Sequence, residues 1–248
     1  MIGLPAPIRV LGNAATIVEL LAERGEQTPV ELAEATGIAR PSVYRLIDGL
    51  RAVGLAAPST DGRVKLSVQW LHLGEAACTA LSEWSRAQAV LDELSQETEQ
   101  TAYLTVRRDY NAICIKWTPA RGIGLLFLRP GRTLPLYAGG AGRALLAASR
   151  DNETYLAGAP FLPFTEKTLT TTDELRADIM CTRRIGYVLS ADDVTVGIGA
   201  VAVNVVDRVG NTVGAISLAG RTNEIVDNQI KFATLLAERA PAAYEPAR

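Results

Sequence analysis

Between residues 8 and 24, apolar side chains recur at Leu11, Ala14, Val18 and Leu21, supplemented by Ile17. This spacing turns one face of a helix inward, and Gly25 follows as a stop. Next comes Thr28-Pro29-Val30-Glu31. The Thr28 hydroxyl can accept a hydrogen bond from an unpaired amide of the first turn, Glu31 can reach back to the Thr28 amide, and Pro29 stands where its missing N–H costs nothing. That capping box predicts a short helix, VELAEAT, closed by Gly37. After the turn Gly37-Ile38-Ala39, a second helix is predicted from Arg40-Pro41 to about Val53. Val43, Leu46, Ile47 and Leu50 form its buried stripe, while Pro41, Tyr44, Arg45 and Asp48 project from the other side. Beyond Gly54, LAAPSTDGRVKLS alternates and contains Asp-Gly, which predicts a hairpin with Arg63 and Lys65 on its second strand. Two helices joined by a tight turn and followed by a basic hairpin have the parts of a winged helix-turn-helix. One helix is sized for the major groove, and a cationic wing can hold the neighbouring phosphates. A small packing module without DNA is the other reading of the same pattern.

From Ser67 to about Ala87 only Gly74 interrupts a helical stretch. Trp70, Ala77, Leu81 and Trp84 recur there at roughly heptad spacing with Leu73 beside them, a stripe that predicts packing against another helix. Residues 88–100 read as a further helix. Strands are predicted at TAYLTVR, AICIKWT and IGLLFLR, and a helix GRALLAAS follows the small-residue run Ala138-Gly139-Gly140-Ala141-Gly142. Thr171-Thr172-Asp173-Glu174 opens a helix ending at Gly186. Strands GAVAVNVVD and TVGAISLAG flank a turn at residues 208–211, and an amphipathic helix runs from about Asn223 to Arg239. Strand pairs with tight turns and inserted helices predict an α+β domain built on an antiparallel sheet.

Composition narrows the function. The chain of 248 residues is 48% hydrophobic, enough for two cored domains. No apolar run is long enough for a membrane helix, and the first residues lack the basic start of a secretion signal. The three cysteines, Cys78, Cys114 and Cys181, are scattered, which fits a reducing compartment such as the cytoplasm. Net charge is −2, and through Lys65 seven basic residues face seven acidic ones, so DNA contact must come from local placement of arginines.

The stretch TPVELAEATGIARPSVYRLIDGLRAVGLA with DGRVKLSVQWLHLG resembles the IclR family of transcription regulators. The resemblance continues through GRTLPLYAGGAGRALLA and TTDELRADIMCTRRIGYVLSADDVTVGIGAVAVNVVDRVGNTVGAISLAG, and so covers nearly the whole chain in order. It implies a winged helix-turn-helix over 1–66, a linker helix over 67–87 and a GAF-like effector domain over 88–248. The implied activity is operator binding controlled by a small metabolite. The implied partners are a pseudo-palindromic double-stranded DNA site and further copies of the chain, as dimer or tetramer. Arg40, Ser42, Tyr44 and Arg45 are the implied DNA contacts, with Arg63 on the wing. Pro41 stands where the family usually has serine or threonine, which removes a hydroxyl and an amide there. Leu126, Leu134, Gly140, Ala141, Ser190, Ala200 and Ser217 are the implied effector-site residues. Ala219 replaces a second serine frequent in relatives that bind small carboxylates, and Ala200 replaces a more polar or sulfur-bearing residue. Fewer hydroxyls point to an effector less polar than a short keto acid, of aromatic or lactone-like kind.

The only histidine, His72, lies outside the C-terminal half, so no Ser-His-Asp or Cys-His arrangement can be built within it. One histidine and three dispersed cysteines supply no usual zinc site, and no cofactor is expected. GGAGRALLA is similar to a phosphate loop but lacks its Gly-Lys-Ser/Thr ending. It reads as close packing at a helix start that also walls the effector site, where the helix N-terminus would suit a ligand carboxylate. Asp192 and Asp193 follow Ser190 and are placed either to face the pocket or, as is usual for an acidic pair on a loop, to face water. The alternative to a regulator is a ligand-binding or enzymatic domain whose helix-turn-helix serves protein contacts. A redox sensor is a third reading, although nothing beside the cysteines favours a thiolate.

Overall fold

The computed structural model describes residues 8–120 and 128–246. The chain divides into two compact units, Met1–Leu81 and Ser82–Arg248.

In the first unit, α1 (Arg9–Arg24), α2 (Pro29–Thr36) and α3 (Arg40–Ala52) precede a hairpin of β1 (Ala56–Pro58) and β2 (Val64–Leu66). The capping box forms as its residues require: the Glu31 amide donates to the Thr28 hydroxyl at 3.2 Å and the Thr28 amide to Glu31 Oε2 at 2.7 Å. Gly37 closes α2 with φ +68, a conformation that glycine adopts without strain. Ile17, Leu21, Leu32, Val43, Ile47, Leu50, Ala56 and Val64 share one buried core, with Ala14 and Val18 partly buried against it, whereas Leu11, expected in the α1 stripe, is 62% exposed. The hairpin turn places Asp61 at φ 56 and Gly62 at φ 72, the left-handed pair that Asp-Gly tolerates. Gln27 adds an antiparallel bridge to Val64, a third edge that the sequence pattern does not announce.

The helical stretch predicted across residues 67–87 is interrupted. α4 (Gln69–Thr79) ends near Ala80, a 3-10 turn covers Ser82–Trp84, and α5 (Ala87–Thr98) begins afresh. The Trp70 to Trp84 stripe is divided accordingly. The Trp70 indole donates to the Leu55 carbonyl at 2.7 Å within the first unit, whereas Trp84 is 2% exposed in the second, edge-on to Tyr244.

The second unit is a six-stranded antiparallel sheet. Its strands are β3 (Thr101–Arg108), β4 (Asn111–Thr118), β5 (Thr133–Pro135), β6 (Val188–Ala191), β7 (Ile198–Val206) and β8 (Thr212–Arg221), in the spatial order β5-β4-β3-β8-β7-β6. The short strand β5 puts Pro135 on an edge, where a missing donor is tolerated. α6 (Gly140–Ala148) covers one side and packs on α8 (Thr172–Ile185), with α7 (Asn152–Leu156) nearby. α5, α9 (Thr222–Asp227) and α10 (Gln229–Arg239) also pack on the sheet. The sides can be told apart from two glycines: Gly140 of α6 abuts Ala200 and Ala202, while Gly199, the residue before Ala200, abuts Ile225 of α9. The Thr171 capping box forms as expected, and Gly186 closes α8. The strand expected over 123–129 falls largely outside the described residues. The last predicted helix is two helices, separated at Asn228.

Candidate functional site

The first unit presents an exposed helical face. Val43, Ile47 and Leu50 tie α3 into the core, which forces Arg40, Tyr44, Arg45, Asp48 and Arg51 outward; Tyr44 is 51% exposed despite its ring. Arg40 makes one exposed ion pair with Glu34 at 3.4 Å, and Arg51 one with Asp48 at 3.7 Å. Arg45 has no hydrogen bond or ion pair among the described residues. Ala39 gives α3 no side-chain cap and Pro41 stands in its first turn, so the helix start is open. Ser42 is half-buried there.

The wing is arranged differently. Arg63 donates Nη1 to Glu31 Oε2 at 3.1 Å, Nη2 to Glu31 Oε1 at 3.3 Å, and Nη1 again to the Glu26 carbonyl at 3.1 Å. Lys65 pairs with Glu26 at 3.3 Å, and Ser59 also donates to that carboxylate. Glu31 is held below the usual carboxylate range chiefly by the Thr28 amide, with the Thr28 hydroxyl and Arg63 adding to it. Glu26 is lowered first by Ser59 and then by Lys65. Both wing cations are therefore already engaged with acidic residues at the start of α2. Sequence reasoning assigned Arg63 to DNA without seeing this, because Glu31 reads locally as a cap and lies on another element.

In the second unit, cross-strand register aligns two rows on the side of the sheet that faces α6. Ser190 pairs with Ala200, which pairs with Ala219, which pairs with Thr101. One step along, Ala202 pairs with Ser217, Ser217 with Tyr103, and Tyr103 with Trp117. A Cβ on Gly140 would stand 3.3 Å from both the Ala200 and Ala202 methyls, and one on Gly142 only 3.0 Å from the Pro135 carbonyl. The run Gly139 to Gly142 thus lets a helix start press against the sheet. Leu134 Cδ1 reaches the same spot, 3.5 Å from the Cβ position of Gly139. Of the expected effector-site residues, Leu134, Gly140, Ser190 and Ala200 gather around this helix start. Ser217 lies in the adjoining row, Ala141 is buried in the core with Leu136 and Leu145, and Leu126 lies outside the described residues.

The polar centre beside α6 consists of residues absent from that set. Asp193 is 3% exposed, so it is not the solvated loop carboxylate expected. Its Oδ2 accepts from the Gly139 amide at 3.0 Å and from Arg143 Nη1 at 3.3 Å, and its Oδ1 accepts from the Ser190 hydroxyl. Arg143, buried within α6, also forms a two-pronged ion pair with Asp178 of α8. The two partners raise its guanidinium pKa, although burial, the largest single influence, opposes the charge. Asp192 turns away to the Gly197 amide and the Thr222 hydroxyl.

Tyr103 was also missed, although period-two alternation in β3 puts it on this side. It packs with Cys114 and Ala219, against Trp117, Leu128 and Ala200, and stacks on Trp117 at 6.1 Å. Its hydroxyl is buried without a hydrogen-bond partner among the described residues, and burial raises its pKa. Burial likewise pushes the Cys114 thiol up to about 12. Among the described residues no cluster of His, Cys, Asp and Glu fits a metal ion, and no helix is long and apolar enough to cross a membrane.

Comparison with known proteins adds the following. Residues 78–243 match the family described as "Bacterial transcriptional regulator IclR C-terminal", and residues 10–58 match "IclR helix-turn-helix domain". The HTH-type transcriptional regulator KipR of Bacillus subtilis is 23% identical over 224 residues, covering 90% of each chain. A solved IclR regulator from Alicyclobacillus acidocaldarius is 24% identical with a TM-score of 0.80, covering 96% of this chain and 98% of that one. An IclR homologue from Microbacterium hydrocarbonoxydans, solved with 4-hydroxybenzoate, is 20% identical with a TM-score of 0.79 and covers 95% and 97%.

Proposed function

This chain belongs to the IclR family of bacterial DNA-binding transcription regulators with an effector-binding C-terminal domain, and from that premise we propose how it reads DNA and what it senses. Its relatives are regulators, and it is a regulator rather than an enzyme. The α3 face enters the major groove, with Tyr44 and Arg45 at base edges and Arg40 and Ser42 at the backbone near the open helix start. The single observation that carries this assignment is Arg45: an exposed guanidinium without a partner among the described residues, on the side of α3 opposite its buried stripe. Arg63 reaches a phosphate only by releasing Glu31. Residues 1–66 form the reading head, 67–87 the connection and 88–248 the sensor, in a protein working in the cytoplasm.

Two copies act together on a pseudo-palindromic operator, as a dimer or a pair of dimers. Supporting this is α4, which buries none of its residues within the chain and exposes Leu71 by 78%. The effector lies against the α6-facing side of the sheet, among Leu134, Gly140, Ala141, Ser190, Ala200 and Ser217; Leu126, the other expected contact, is outside the described residues. The site's small uncharged side chains and the neighbouring Tyr103 and Trp117 favour an aromatic or lactone-like molecule, and the homologue solved with 4-hydroxybenzoate sets a precedent for an aromatic ligand on this fold. Selection of bound DNA from a random duplex pool tests the reading: a pseudo-palindromic site should be enriched, with or without metabolite extract. A folded protein that enriches nothing under either condition would refute it.

A further inference from the structure

We propose that Asp193 makes the effector site selective for an uncharged ligand, because it places a buried carboxylate at the entrance to α6 and takes the Gly139 amide, the Ser190 hydroxyl and one edge of Arg143. The inference rests on the reading of that side of the sheet as the effector site. Three donors converge on Asp193: the Gly139 amide, the Ser190 hydroxyl and Arg143 Nη1. Arg143 cannot serve a ligand besides, since Asp178 takes its other edge. The side chains of Arg143, Asp178 and Asp193 are 7%, 15% and 4% exposed, so one cation faces two carboxylates out of water, and the surplus charge is negative. A second anion brought to this point meets repulsion that the solvent hardly screens.

Further along the same side of the sheet, Tyr103 offers a hydrogen-bonding group without adding charge. The Tyr103 hydroxyl is buried and, among the described residues, unpartnered, in a cluster with Ala200 and Ala219 at its side and the Trp117 ring stacked on its own. A carbonyl, hydroxyl or amide on a flat ligand satisfies that hydroxyl, and the ring supplies a surface for the ligand's apolar body. The other nearby cation, Arg129, is exposed and lies 5.8 Å over the Trp117 ring, where water weakens its pull on a bound anion.

The test compares benzamide with benzoate, two probes of one shape that differ in charge. Binding to the full-length protein is measured by ligand-observed NMR for the wild type, Asp193→Asn and Asp193→Ala. Benzamide should bind the wild type at least about ten-fold more tightly than benzoate, and Asp193→Asn should abolish most of that preference. In Asp193→Ala the vacated donors should take acetate, seen as a saturable rise in melting temperature against chloride at matched ionic strength. If Asp193→Ala does not fold, the asparagine variant decides alone. Three results would overturn the proposal: benzoate preferred by the wild type, a preference unmoved in Asp193→Asn, or no saturable binding of benzamide. A protein that selects an operator yet prefers benzoate fails this inference alone; one that selects no DNA fails the regulator reading and leaves the ligand result standing.

Discussion

Arg45 on α3 and Arg63 on the wing differ in their internal partners, and the structure predicts opposite consequences for removing them. In Arg45→Ala, no hydrogen bond or ion pair among the described residues is lost, so the melting temperature should stay where it was. DNA affinity should fall by about 1–3 kcal/mol per half-site if the guanidinium reads a base edge. If it meets a phosphate instead, the slope of log affinity against log salt should flatten by roughly one per half-site, hence about two for a dimer. In Arg63→Ala, the two-pronged contact with Glu31 and the bond to the Glu26 carbonyl both disappear. The variant should melt at a lower temperature, because the wing loses its clamp to the start of α2. At a temperature where it is folded, its salt slope should be close to that of the wild type.

The assay is fluorescence anisotropy on the selected operator at several salt concentrations, paired with a thermal melt of each variant. Unchanged affinity and slope for Arg45→Ala would refute the assignment of α3. A flattened slope for Arg63→Ala, without loss of stability, would mean that the wing releases Glu31 on binding, and the argument from internal pairing would be wrong.

Gly142→Ala should destabilise the second unit. Its Cβ would stand 3.0 Å from the Pro135 carbonyl and 3.2 Å from that of Leu136. Overpacking against backbone costs about 1–3 kcal/mol, more than the roughly 1 kcal/mol that alanine gains in helix propensity. Gly74→Ala, with nothing within 4 Å, should instead stabilise by up to about 1 kcal/mol; denaturant unfolding of both variants checks the pair. Glu31 and Glu174 lie below their ordinary value of 4.5, held chiefly by the Thr28 amide and the Thr171 hydroxyl respectively. A depressed folded-state pKa contributes stability above the unfolded value, lost as pH falls through the folded one. Melting temperature should therefore drop below about pH 4.5, and Thr171→Val should blunt the drop; an unchanged acid profile in that variant would count against it. Cys78 and Cys181 are exposed, while burial raises the Cys114 thiol to about 12. A maleimide should label two thiols in the native protein and the third only on unfolding. Rapid native labelling at Cys114 would contradict its burial.

What the sequence made legible was local. Thr28 and Thr171 announce their capping boxes because donor and acceptor sit three residues apart, and both boxes form. The stripe Val43, Ile47 and Leu50 announces which way α3 faces for the same reason of short-range periodicity. Contacts between distant elements were not legible. Glu31 and Arg63 are 32 residues apart and Asp193 and Arg143 are 50 apart, and no spacing rule links either pair. Asp193 follows Asp192 in a loop, where a carboxylate pair ordinarily faces water. Only the tertiary fold turns one of them inward and the other to Thr222. The strand β6 was passed over because it is only four residues long, too short for alternation to stand out from the flanking loop. The break after α4 was hidden by a run of good helix formers; nothing in the chain between Thr79 and Ser82 is a breaker.

The two sites share a physical strategy, which explains how a domain with balanced charge can read DNA. Non-specific binding to DNA is almost wholly electrostatic, so each cation that stays free for phosphates raises affinity for every sequence alike. On the proposed reading, the pairing of Arg63 and Lys65 with Glu31 and Glu26 withdraws cations from that common term while Arg45 on α3 stays available for base edges. Specific affinity would then fall less than background affinity, which improves the ratio that matters against a genome of competing sites. At the proposed effector site, Asp193 engages Arg143 and the Gly139 amide before any ligand carboxylate can. In each case an internal acid occupies a general-purpose attraction. What remains for the ligand is shape and a few directed hydrogen bonds, the terms that discriminate between partners rather than merely hold them.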